Sequence, residues 1–138
     1  MIKKLIVAYD ASPQSEKAFD FGLGLAAKFA AELIVCSVAT LPEPPVSVEI
    51  SAVLDHAEEF YKKHFTRLAA RAAAGGITPR FELKVGHPAE QIILLAEEEG
   101  VQMIVMGHRG NTLVEKWMLG SVCRRVINYA NCTVSVVR

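Results

Sequence analysis

Short apolar runs and helix-periodic stretches alternate along the whole chain, and few architectures accept that order. The first run, Lys4 to Tyr9, is a strand with Leu-Ile-Val-Ala at its centre. It stops at Asp10-Ala11-Ser12-Pro13, where Ser12 suits a helix cap and Pro13 the first helical position. The helix that follows carries Ala18, Phe21, Gly22, Leu25 and Phe29 at the helical period. Its small residues Gly22, Gly24, Ala26 and Ala27 allow a close approach to a sheet. Leu33 to Ala39 is a second strand, and Leu41-Pro42-Glu43-Pro44-Pro45 breaks regular structure. The segment from Ser51 to Ala74 repeats Leu54, Ala57, Tyr61, Phe65, Leu68 and Ala72 in helical register, and Gly75-Gly76 ends it. Three further units follow: a strand Phe81 to Val85 with a helix to Glu99, a strand Val101 to Met106 with a helix from Ser121 to about Ala130, and a last strand, Cys132 to Val137.

Such βα alternation implies one parallel sheet with helices on both faces. Strands covered on both faces read as continuous apolar runs, and half-covered ones alternate. Phe81 to Val85 and Cys132 to Val137 alternate, which sends the third and fifth strands to the edges. The expected fold is therefore a doubly wound five-stranded parallel sheet of order 3-2-1-4-5, a single domain over residues 1–138. Its direction switches between strands 1 and 4. Ligands of such sheets bind beyond the strands' carboxyl ends at the switch. The loops there are Asp10-Ala11-Ser12 and the stretch from Gly107.

Composition excludes several other classes. An apolar fraction of 51% supports a true core rather than disorder. Fifteen basic and fifteen acidic side chains cancel, against a broad nucleic-acid or membrane footprint. No stretch approaches the roughly 20 apolar residues that span a bilayer, and Leu5 to Ala8 is too short for a signal core, so a cytoplasmic protein is expected. Cys36, Cys123 and Cys132 lack a CxxC spacing and read as core thiols. His56, His64, His87 and His108 show no metal-ligand spacing.

The stretch after strand 4 reads Gly107-His108-Arg109-Gly110, then nine residues, then Gly120-Ser121. Glycines let backbone N–H groups approach phosphate oxygens closely. Gly120-Ser121 opens the last helix, whose N-terminus offers unpaired donors and a positive dipole end. Ser121 adds a hydroxyl, Arg109 a charge, and Asp10 across the cleft could hold a Mg²⁺ that screens phosphates. Plainer readings accompany each residue. Glycines punctuate many loops, Ser121 can be a simple cap, and Asp10 can be a turn residue. His108 and Lys116 read as solvated loop groups, Trp117 as a packing residue, and Arg124 and Arg125 as an exposed helix face. Glu97-Glu98-Glu99 sits at a helix end where the dipole disfavours it.

These residues together resemble the universal stress protein family over nearly the whole chain. Lys3 to Ser12 is similar to the family's first strand and Asp-Gly-Ser turn, and Val85-Gly86-His87-Pro88-Ala89 to its entry into the third helix. Met106 to Val122 resembles the Gly-x2-Gly-x9-Gly-Ser signature of the ATP-binding branch without a gap. The resemblance implies adenosine contacts from Ala8 and Val38. It implies phosphate and ribose contacts from Met106, Gly107, His108, Arg109, Gly110, Asn111 and Thr112, and from Gly120, Ser121 and Val122, with Asp10 near phosphate or metal. Two residues depart from the pattern. Ala11 replaces the turn glycine, and Thr133 stands where the family often has proline.

The function expected is a nucleotide-dependent sensor or regulatory module that binds ATP, or ADP or AMP, with Mg²⁺ and acts on a protein partner. A slow ATP hydrolase stays open, although no Gly-x4-Gly-Lys-Ser/Thr loop exists and Asp10 is the one obvious acid at the switch. A scaffolding dimer with a vestigial site stays open too, as does a flavin-binding domain. A phosphoacceptor receiver wants an aspartate ending strand 3, which here ends in Val85-Gly86. A homodimer through strand 5 is expected, because that edge carries no charge between Cys132 and Val137.

Overall fold

A computed structural model describes residues 1–41, 50–110 and 119–138. The chain runs β1 (Lys4–Ala8), α1 (Pro13–Phe29), β2 (Glu32–Ala39), α2 (Ile50–Ala73), β3 (Arg80–Val85), α3 (Pro88–Glu99), β4 (Met103–Gly107), α4 (Ser121–Tyr129) and β5 (Thr133–Val137). The five strands form one sheet of order β3-β2-β1-β4-β5, every pair parallel. This is the order that strand texture predicts. Leu5, Ile6 and Val7 at the centre are wholly buried, whereas every residue of edge strand β3 is half-buried.

Two apolar cores flank the sheet. Leu5, Val7, Leu33 and Val35 face α1 and α2, and Ile6, Ile34, Cys36 and Ile104 face α3 and α4. Ser12 caps α1 by accepting the Ser15 N–H at 3.1 Å, with Pro13 in the first turn. Gly22 allows α1 to lie on the sheet, since a Cβ there would collide with the Val7 side chain. The inner face of α1 is Ser15, Ala18, Phe19, Gly22 and Ala26. Phe21 and Phe29, expected on that face, are 47% and 42% exposed. A helix that lies so close takes small residues inward, and the inward slot for one aromatic ring goes to Phe19. On α4, Cys123 and Val126 are buried and Val122 half-buried, but Tyr129, expected inward, is 67% exposed at the last turn.

The acidic run at the end of α3 has a structural account. Glu99 pairs with Arg80 and with Lys4, the latter at 3.1 Å, and Asn131 donates to Glu97 at 3.1 Å. Cations from β1 and β3 thus offset the unfavourable dipole and tie three elements at the amino edge of the sheet. Of the loop expected from Leu41 to Ser51, residues 42–49 lie outside the described residues, as do Asn111, Thr112, Lys116 and Trp117. Among the described residues no helix is long and apolar enough to cross a membrane.

Candidate functional site

At the carboxyl ends of β1 and β4 the chain departs to opposite faces of the sheet, α1 to one and α4 to the other. The gap between the two departures is a cavity of about 350 Å³. Its walls come from seven elements and the turns between them. Ala8, Tyr9 and Asp10 leave β1, and Cys36, Val38 and Thr40 leave β2. Met106, Gly107, Arg109 and Gly110 enter from β4, and Gly120, Ser121, Val122 and Cys123 from the start of α4. Ser15 of α1, Phe60 and Tyr61 of α2, and Pro88 and Ile92 of α3 complete it.

The turn after β1 is tight. Asp10 Oδ1 accepts the Ser12 N–H at 3.0 Å, and Ala11 between them adopts φ +67°. The chain therefore keeps the left-handed turn expected of glycine, at a local cost of about 1–2 kcal/mol for an L-residue. Substituting alanine strains the path without rerouting it.

Three glycines let backbone segments meet around the cavity. A Cβ at Gly107 would stand 2.7 Å from the Gln14 Cβ, and one at Gly120 3.1 Å from the Arg109 Cα. At Gly110 it would strike the Asp10 carboxylate. The residue type is thus required by the protein's own packing. The His108 carbonyl accepts the Gly120 N–H at 2.7 Å, while the His108 N–H donates to the Val137 carbonyl at 2.9 Å. The two halves of the glycine motif are joined to each other and to β5. The N-cap residue of α4, Gly120, has no side chain to cap the helix, and among the described residues no other side chain caps it, which suits its first-turn N–H groups to an acceptor.

The expected site residues Ala8, Asp10, Val38, Met106, Gly107, Arg109, Gly110, Gly120, Ser121 and Val122 line this one cavity. His108 does not. Rather than a solvated loop group, it is a buried side chain, 6% exposed, whose Nδ1 has no hydrogen-bond partner among the described residues. Its link to the site runs through its backbone. Asn111 and Thr112 lie outside the described residues. Sequence reasoning missed the α2 wall, because Phe60 and Tyr61 look like any aromatic pair on an amphipathic helix.

The cavity divides by chemistry. Asp10 is the one carboxylate among its described lining residues, and those residues hold no group of three His, Cys, Asp or Glu suited to a metal. Burial pushes the Cys36 thiol up to about 12 and raises that of Cys123, so both are neutral at pH 7. Burial also takes the Tyr9 hydroxyl to about 12, aided by Glu16 and opposed by Arg67, whose Nη2 donates to it at 3.1 Å. A neutral, largely apolar floor thus faces a rim of backbone donors on one side and Asp10 on the other.

A sequence model of the universal stress protein family matches residues 1–138. A universal stress protein of Bacillus subtilis is 32% identical over 148 residues, covering 100% of each chain. The solved UspA of Lactobacillus plantarum superposes with a TM-score of 0.88 at 22% identity, covering 99% of this chain and 98% of that one, a likeness of fold. A universal stress protein solved in complex with cAMP has a TM-score of 0.75 at 26% identity, with 99% of this chain and 97% of that one covered.

Proposed function

The chain belongs to the universal stress protein family, and from that premise we propose that it binds an adenine nucleotide, ATP or a close relative, in the cavity between β1 and β4. The observation that carries this reading is the convergence of Gly107, Gly110 and Gly120 with the uncapped start of α4 on one cavity. Closely approaching backbone donors and a positive dipole end suit phosphate oxygens. The apolar floor of Val38, Ile92 and Met106 suits a base, and a volume near 350 Å³ falls within the range of small-ligand sites. The relative solved with cAMP supports an adenine ligand.

Met106, Gly107, Arg109, Gly110, Gly120, Ser121 and Val122 would contact phosphate and ribose, and Ala8 and Val38 the adenosine end. A Mg²⁺ fits only as a companion of the phosphates, since Asp10 is the one cavity carboxylate among the described lining residues that could add an oxygen. When bound, it would screen phosphate charge. The protein's own groups supply the rest: amides that hold the phosphates, Arg109 that adds charge, and packed walls that exclude water. The role that follows is a cytoplasmic nucleotide-dependent sensor or regulatory module rather than a fast enzyme, acting on a protein partner.

The reading includes a homodimer through β5. The other edge, β3, carries Arg80, Glu82 and Lys84, joined by ion pairs at 3.3 and 3.8 Å, of the kind that discourage pairing. β5 carries Thr133, exposed, and Ser135, whose hydroxyl turns to the Met103 sulfur at 3.3 Å.

Denaturing the purified protein and identifying released small molecules by mass spectrometry tests the ligand. Adenine nucleotide in the released fraction is expected. A flavin, or no nucleotide together with no binding of added MgATP, would refute the reading.

A further inference from the structure

We propose that the nucleotide site continues into a second, apolar cavity between β2 and α2, and that it takes an adenine nucleotide whose exocyclic amine carries an apolar group. The inference rests on the adenine-nucleotide reading and deepens it by naming the class of ligand.

The second cavity has a volume of about 450 Å³. One wall is the carboxyl end of β2, from Val38 to Thr40. The other is the start of α2, where the lining residues fall in pairs every four positions: Ala52 with Val53, His56 with Ala57, and Phe60 with Tyr61. That spacing makes one stripe of the helix. Four residues, Val38, Thr40, Phe60 and Tyr61, line the nucleotide cavity as well. The two cavities therefore adjoin.

The place where they adjoin decides which part of the ligand can cross. Phosphates belong at the glycine loop and the start of α4, on the β4 side of the nucleotide cavity. Val38 and Thr40 leave β2, and β1 lies between β2 and β4 in the sheet. The second cavity thus opens at the base end. In adenine the ribose leaves one edge of the purine, and the exocyclic amine sits on the opposite edge. A ligand with its phosphates at α4 and its base at Val38 turns the amine edge toward Thr40 and α2. A second nucleotide joined through the phosphates would extend the other way.

The chemistry of the walls selects an apolar extension. The described lining residues of the second cavity hold no carboxylate, lysine or arginine, and His56 is the one basic side chain among them. Asp55, Glu58 and Glu59 stand exposed on the same turns of α2, a surrounding that disfavours an anionic group. Ala57 and Tyr61 are buried, whereas Phe60 is 48% exposed. The Phe60 ring meets Tyr61 edge-on at 4.9 Å and borders both cavities. An alkyl or aryl group passing from one cavity to the other packs along this stripe and gains affinity with the apolar area it removes from water.

Calorimetric titration of wild type and Ala52→Trp with ATP, N⁶-benzyl-ATP and 8-benzylamino-ATP tests the assignment. Ala52 is exposed and lines the second cavity but not the first, so tryptophan there fills the extension alone. Ligand-free melting checks the fold, and His56→Trp, at a position exposed in the same way, serves if Ala52→Trp does not fold. The 8-position lies beside the glycosidic bond, away from Thr40, so its analogue reports a base end that is simply open. Wild type should bind N⁶-benzyl-ATP roughly 3- to 30-fold more tightly than ATP, and 8-benzylamino-ATP no more tightly than ATP. The folded variant should bind ATP like wild type and lose most of the gain. A wild type that binds N⁶-benzyl-ATP no more tightly than ATP overturns the proposal and leaves nucleotide binding intact. An equal gain from the 8-substituted analogue, or a gain that survives in the folded variant, overturns it too. A wild type that binds none of the three ligands removes the nucleotide reading and this proposal with it.

Discussion

Ala11 and Ala30 hold φ at +67° and +52°, values that glycine reaches without strain. Ala30 ends α1 in the left-handed region, its N–H bonded to the Ala26 carbonyl. Replacing either by glycine relieves a steric cost of about 1–2 kcal/mol and incurs some unfolded-state entropy. Ala11→Gly and Ala30→Gly should each raise urea stability by about 0.5–1 kcal/mol. A loss of stability in both would show that the turns do not store this strain. Gly110 is the opposite case. A side chain there meets the Asp10 carboxylate before it meets any ligand. Gly110→Val should therefore displace the loop against Asp10 and weaken nucleotide binding, with the cavity-facing carboxylate as the first casualty.

At the scale of elements, α1 depends on one close approach. Gly22→Leu would drive a branched side chain into Val7, and overpacking of this kind costs about 1–3 kcal/mol. A midpoint unchanged from wild type in urea would contradict the helix-on-sheet contact. Burial of Tyr9 and Cys36 makes an alkaline prediction. Both groups hold their protons to about 12 in the fold, above the ordinary values of 10.0 and 9.0. The folded state thus retains protons that the unfolded chain releases. The associated stability is complete below about pH 9 and is lost as pH rises toward 12, so melting temperature should fall across that window. Strand order was legible because burial on one face or two leaves its mark on alternation, as in Phe81 to Val85. The glycine loop was legible because spacing survives in sequence. Helix faces were less so: Phe21 and Phe19 are both aromatic, and only the crossing of α1 over β1 decides which turns inward. The α2 wall was illegible for a related reason. Nothing in the sequence near Tyr61 records that the chain returns α2 over the end of β1.

For the whole molecule, the two edges of the sheet differ in chemistry, and the proposed dimer follows from that difference. Two-fold pairing of β5 with its copy would be antiparallel and self-complementary. Sedimentation of wild type at micromolar concentration should give a dimer, and a folded Ser135→Pro variant, lacking one N–H, should dissociate more readily. A monomeric wild type, or a proline variant of full dimer strength, would exclude this edge. The account as a whole stands on the cavity at the β1–β4 switch holding an adenine nucleotide. Its most direct test is thermal melting of wild type and Gly110→Val with and without millimolar MgATP, because a ligand selective for the fold stabilises by about 2.7 kcal/mol at a hundredfold excess over Kd. The account predicts a clear rise in the wild-type melting temperature and little or none in the variant. A wild-type melting temperature unmoved by MgATP, in protein shown to carry no nucleotide from purification, would contradict it.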